Sequence, residues 1–122
     1  MVDRRQTLDQ GRARHAWDLV QSVQDDETFR TQVKKLPTRI RAAGMGQALA
    51  FLEGKGYLPE LRVGLSDWVL KHRGLRPSGG DLLRAIMEEP ADFLRRATDE
   101  ALAYLQWVGR FAEAREKQGG GR

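Results

Sequence analysis

The chain holds two histidines and no cysteine, so the residues that could do chemistry are few. His15 and His72 fall on different predicted helices, and no HxxxH or HExxH spacing gathers them around one metal ion. No metal site is therefore expected, and His72, in phase with the apolar residues of its helix, reads as a packed ring. The lack of cysteine excludes thiolate ligands, thiol nucleophiles and disulfides, and fits a reducing compartment. Ser66 and Ser78 have no nucleophile elbow around them. The glycines of "EGKGY" and "PSGGD" lack the full phosphate-loop pattern and a preceding strand. Carboxylates are spread over helices and single out no acid–base pair. The sequence thus points away from an enzyme and calls for no cofactor, although a carboxylate site without a motif stays open as a reading.

Binding chemistry is better marked. Arg30, Lys34, Lys35, Arg39 and Arg41 lie between Phe29 and Ala43 with no acid among them. At about 100° per residue, Arg30, Lys34 and Arg41 fall within about 40° of one another, beside the apolar stripe, with Lys35 and Arg39 farther round. No acid at i+4 neutralises the row. It is either a solvated face or a surface for polyanions, and in the second case its contacts go to phosphates and carry no sequence code. Aromatic residues do not interleave it, so base stacking is not indicated. Lys55, Arg62 and Lys71 are further basic positions outside the row.

The elements that must position these groups are helical. Stretches between glycines show apolar spacing of three and four, and none shows sustained alternation, which predicts an all-α, single-domain bundle of about six helices. With 122 residues and a net charge of +4, one core is expected over residues 1–117, followed by a flexible tail at 118–122. No window approaches the roughly 20 apolar residues that span a bilayer, and no signal-peptide pattern opens the chain. A soluble cytoplasmic protein is expected.

A first helix is predicted from about Asp3 to Gln24, with Ala13, Ala16, Trp17, Val20 and Val23 on one face. Asp25-Asp26 supplies the turn and the next N-cap. The second helix, from about Glu27, carries Phe29, Val33, Leu36, Ile40 and Ala43, and Pro37 should kink or restart it. Gly44 is placed to end it with positive φ, and the two glycines of "GMG" are expected to let the basic helix approach the apolar helix that follows. That third helix, with Met45, Ala48, Leu49 and Leu52, reads as central. A fourth runs from about Tyr57 to His72, a loop follows at 74–80, Asp81 caps a fifth over Leu82–Glu89, and Pro90 opens a sixth reaching about Lys117. On the sixth, Leu94, Ala97, Ala101, Leu105, Val108 and Ala112 form one face, and Phe93, Tyr104, Trp107 and Phe111 widen the apolar arc beyond what one core requires. Either the first or fourth helix covers the excess, or it is a subunit interface beside Arg110, since Trp, Tyr and Arg dominate interface hot spots.

Two stretches resemble a known family. "LPTRIRAAGMGQALAFLEGKG" (36–56) and "ATDEALAYLQWVGRFAEA" (97–114), in an order of elements that also matches, are similar to the small all-helical subunit of type III-B CRISPR effector complexes, the fifth protein of the Cmr module. The resemblance covers nearly the whole chain. It implies a non-catalytic subunit that stacks in several copies beside the backbone subunits holding the crRNA, abuts the large subunit, and helps line the groove for target RNA. On that reading Arg30, Lys34, Lys35, Arg39, Arg41 and Lys55 are the candidates for contact with the phosphate backbone of the crRNA–target duplex. Gln47, Tyr104, Trp107, Arg110 and Phe111 are the candidates for subunit contacts. The competing reading is a helix-turn-helix DNA-binding regulator pivoting at Gly44; it is disfavoured because the helix after the turn is apolar where base-edge readers are needed.

Overall fold

The computed structural model describes residues 6–120, with side chains described through 118. Its elements are α1 (Leu8–Ser22), α2 (Glu27–Ala43), α3 (Met45–Lys55), α4 (Pro59–Ser66), α5 (Leu82–Glu88) and α6 (Ala91–Gly120), and α4 runs on as a π-helical turn over Asp67–His72. No strand occurs among the described residues. No described helix is long and apolar enough to cross a membrane.

Aspartates start two of these helices where their positions predict. The carboxylate of Asp26 accepts from the backbone N–H of Phe29 at 2.8 Å, and that of Asp81 from Arg84 at 3.2 Å, each satisfying a donor that has no intrahelical partner. The start of α1 differs from expectation. Thr7 is its N-cap, in a reciprocal capping box with Gln10 (3.1 and 2.8 Å), and residues 1–5, which include the expected start at Asp3, lie outside the described residues. At the other end α6 takes in 118–120, three residues assigned to the tail, while 121–122 lie outside the described residues.

The basic helix is continuous. Of the two outcomes expected at Pro37, a kink or a restart, the restart does not occur: α2 runs through it as one helix, and Phe29, Val33, Leu36 and Ile40 are all buried. Gly44 ends α2 and caps α3 in one residue, with φ 92° and ψ 159°, a combination open essentially to glycine. A Cβ built there would meet nothing within 4 Å, and one at Gly46 would touch Ile86 Cγ2 of α5 at 3.6 Å, an ordinary contact. The glycines therefore do not serve close approach of α2 and α3, as expected; Gly44 serves a change of chain direction.

One core joins all six helices. α3 buries Met45, Ala48, Leu49 and Leu52, and α6 contributes Phe93, Ala97, Ala101, Tyr104, Leu105, Val108 and Ala112. Leu94, expected inside, points outward. α1 lies along α6 with Ala16, Leu19 and Val20 buried against the core, and Trp17, expected on that face, is 44% exposed. The guanidinium of Arg115 on α6 donates to the carbonyls of Val20 and Val23, supplying partners for the open C-terminal end of α1.

Candidate nucleic-acid and subunit interfaces

The basic row does not survive as one unit. Arg30 is part-buried and pairs with carboxylates of its own chain, its Nη1 at 3.1 Å from Asp25 Oδ1 and its Nε at 3.4 Å from Glu116 Oε2, so it is less available to a phosphate than the rest of the row. Arg39 is held too: it donates to Gln32 Oε1 at 3.2 Å and its guanidinium lies 4.0 Å over the Phe51 ring, a cation–π contact that ties α2 to α3. Lys34, Lys35 and Arg41 are exposed and form no ion pair with a carboxylate among the described residues. On an α-helix they span about 120° of one outward face. Lys55 is exposed at the far end of α3.

The apolar arc of α6 is covered mostly by α1. Tyr104 is 0% exposed and its hydroxyl lies 2.7 Å from His15 Nδ1, so it cannot touch a neighbouring subunit and is withdrawn as an interface residue. Burial pushes its phenol pKa well above the ordinary value, with the charges of Asp67 and Asp18 adding to the rise, and the hydroxyl stays protonated. Trp107 and Phe111 are half-buried. The Trp107 indole donates to Asp9 Oδ1 at 3.0 Å and stacks on Phe111 (5.5 Å between centroids), which meets Trp17 edge-on at 5.2 Å. This ladder leaves an aromatic edge at the surface. Arg110 is exposed and reaches Glu113 only at 4.0 Å. It lines a shallow groove between α2 and α6 with Lys34, Pro37, Leu105 and Gln106, which brings one expected phosphate contact beside one expected subunit contact. Gln47 is exposed on α3, away from Met45, Ala48, Leu49 and Leu52.

Two polar clusters were not foreseen. Glu100, only 5% exposed, accepts from Arg12 (Nε 2.6 Å, Nη2 3.0 Å), Trp68 Nε1 (2.8 Å) and Arg73 Nε (2.7 Å). Burial alone would push its pKa up, but the hydrogen bonds from Arg12, Trp68 and Arg73 outweigh that and hold it below the ordinary value. Gly11 on α1 lets the same indole close, since a Cβ there would stand 3.2 Å from Trp68 Cη2. Glu100 thereby ties α1, the π turn and α6 together. The second cluster corrects the reading of the histidines. His15 and His72 converge on Asp67, at 2.9 and 3.1 Å from its Oδ2, and His72, expected as a packed ring, is half exposed, its ring stacked on Trp68. The His15 hydrogen bond is the main cause holding the Asp67 carboxyl below its ordinary range.

The described residues form an all-helical bundle with a solvated cationic face on α2 and a surface aromatic ladder on α1 and α6, features suited to a binding or assembly protein. The family described as CRISPR-associated protein (Cas_Cmr5) matches residues 8–115, and the chain belongs to that family, the small subunits of type III-B Cmr modules. It is 37% identical over 87 residues to the CRISPR system Cmr subunit Cmr5 of Thermus thermophilus, a stretch covering 70% of this chain and 73% of the relative. Its fold matches the crystal structure of a CRISPR-associated Cmr5 family protein from Thermus thermophilus, with a TM-score of 0.71 at 30% identity, over 89% of this chain and 97% of that one.

Proposed function

We propose that this chain is a non-catalytic small subunit of a type III-B Cmr effector complex, stacking in several copies beside the crRNA-bound backbone subunits and abutting the large subunit in the cytoplasm. Its Lys34, Lys35 and Arg41 face the phosphate backbone of the crRNA–target duplex, with Lys55 as an outlying contact. The observation that carries this reading is the outward cationic face of α2, left without described carboxylate partners in a chain whose family is that of the small Cmr subunits. Such a face attracts polyanions without reading sequence, as a subunit needs where guide pairing sets specificity. Trp107, Arg110 and Phe111, with Gln47 on α3, are the subunit contacts, and the groove shared by Lys34 and Arg110 sets the strand path beside a subunit boundary. The helix-turn-helix alternative loses ground because the helix after Gly44 spends Met45, Ala48, Leu49 and Leu52 on the core, leaving a short polar face for any groove.

Co-purification tests the assignment. Pulled from cells expressing the whole effector module, the chain is expected to bring down other Cmr subunits and guide RNA; recovery of the chain alone contradicts it.

A further inference from the structure

The convergence of His15, Asp67 and His72 depends on one local irregularity. In an α-helix, residues five apart sit about 140° apart around the axis, so Asp67 and His72 would face different neighbours. Here the backbone is π-helical over Asp67–His72, and the ring closed by Arg73 N–H on the carbonyl of Trp68 at 2.8 Å is of the i→i+5 type, which stacks residues five apart on one face. Such turns recur at functional sites. His15 enters from α1 opposite them.

One ligand atom from each of His15, Asp67 and His72 lies within 4.8 Å of the other two, and Asp67 Oδ2 is 2.9 Å from His15 Nε2 and 3.1 Å from His72 Nε2. A tetrahedral ion with bonds of about 2.0–2.2 Å holds its ligand atoms roughly 3.3–3.6 Å apart, so small side-chain movements would seat one. The ring of His15 is already oriented, because its other nitrogen meets the buried Tyr104 hydroxyl at 2.7 Å; an outer partner of that kind fixes the ring of a metal-bound histidine. The opposite side is open. The Asp67 and His72 side chains are 41% and 53% exposed, and Asp18 and Ser22 border the same hollow, which leaves a fourth position for water or the Asp18 carboxylate. Two imidazoles and a carboxylate favour a first-row transition ion over magnesium or calcium, which prefer all-oxygen sets.

We propose that His15, Asp67 and His72 form a site for a divalent transition-metal ion such as Zn2+, which clamps α1 to the π turn. The proposal is independent of the RNA-binding reading. Calorimetric titration of the full chain, free of any histidine tag and stripped with a chelator, with zinc chloride slightly above neutral pH is the test. One saturable equivalent per chain is expected, together with a thermal midpoint that rises with zinc concentration. His72→Asn and Asp67→Asn should each weaken zinc binding by at least about tenfold at unchanged helical circular dichroism, whereas Lys71→Ala should bind like the parent. Absence of saturable binding by the parent chain, or full affinity in His72→Asn, overturns the proposal and leaves the trio as a hydrogen-bonded brace.

Discussion

Arg12 on α1 and Glu100 on α6, 88 positions apart, form a two-pronged ion pair at 2.6 and 3.0 Å that fastens the first helix of the bundle to the last. The carboxylate is 5% exposed and also takes bonds from Trp68 and Arg73. Removing one member of such a set leaves the others buried and unpaired, which is costlier than losing the pair's net attraction. Arg12 and Arg73 keep some access to solvent, at 17% and 33% exposure, which softens the penalty. Glu100→Gln is therefore expected to lose about 2–3 kcal/mol of stability in urea unfolding, and a loss under about 0.5 kcal/mol, the size of an ordinary surface change, would remove Glu100 from its place as a tie.

The same residue sets a pH dependence. Its pKa in the folded chain is depressed below the ordinary value of 4.5, so between the folded and unfolded values the unfolded chain binds more protons and stability rises with pH. The contribution is fully present above the unfolded value and is lost as pH falls through the folded one. Acid unfolding of the parent chain should begin below about pH 4.5, and Glu100→Gln should flatten that limb of the stability curve. Equal slopes in the two proteins would mean that other carboxylates carry the acid sensitivity.

Gly44 and Gly46 should part company. Gly44→Ala is expected to cost about 1–3 kcal/mol because its φ of 92° and ψ of 159° suit only glycine. Gly44→Val should cost a similar amount, since open space surrounds the position. Gly46→Ala, inside α3 with a 3.6 Å contact to Ile86, should be neutral or slightly stabilising. Chemical denaturation of the three variants checks the order, and a Gly46→Ala protein weaker than Gly44→Ala would contradict it.

Arg110→Glu offers a cleaner probe of assembly than the aromatic ladder. Its side chain is 79% exposed with one distant partner, so folding stability should change by no more than about 0.5 kcal/mol. Incorporation into the reconstituted effector complex should fall, as read by native mass spectrometry. Normal incorporation would place the subunit boundary elsewhere.

Much of the scaffold was legible because burial imposes a repeat. Phe29, Val33, Leu36 and Ile40 keep their phase through Pro37, and Asp26 and Asp81 carry the side chain a helix start needs. What escaped has a physical reason in each case. The π turn at Asp67–His72 breaks the assumption of about 100° per residue, and with it any expectation that Asp67 and His72 share a face. Glu100 stood in the pattern shared with the family, but a buried acid on a helix declares itself only through donors far away in sequence, here Arg12 and Trp68. Arg30 read as part of a free row because Glu116, its second partner, comes from the last helix. Tyr104 read as excess apolar surface for the same reason, since His15 covers it from α1.

The measurement closest to the heart of the account is the salt dependence of target-RNA binding by the reconstituted complex carrying Lys34→Glu, Lys35→Glu and Arg41→Glu. For every phosphate that no longer meets a cation, the plot of log affinity against log salt should flatten by about 0.7–0.9. Three such phosphates per copy should give a visibly shallower line and weaker binding at low salt, with the subunit still folded and incorporated. A line superimposed on that of the parent complex would contradict the claim that this face of α2 lies along the nucleic acid.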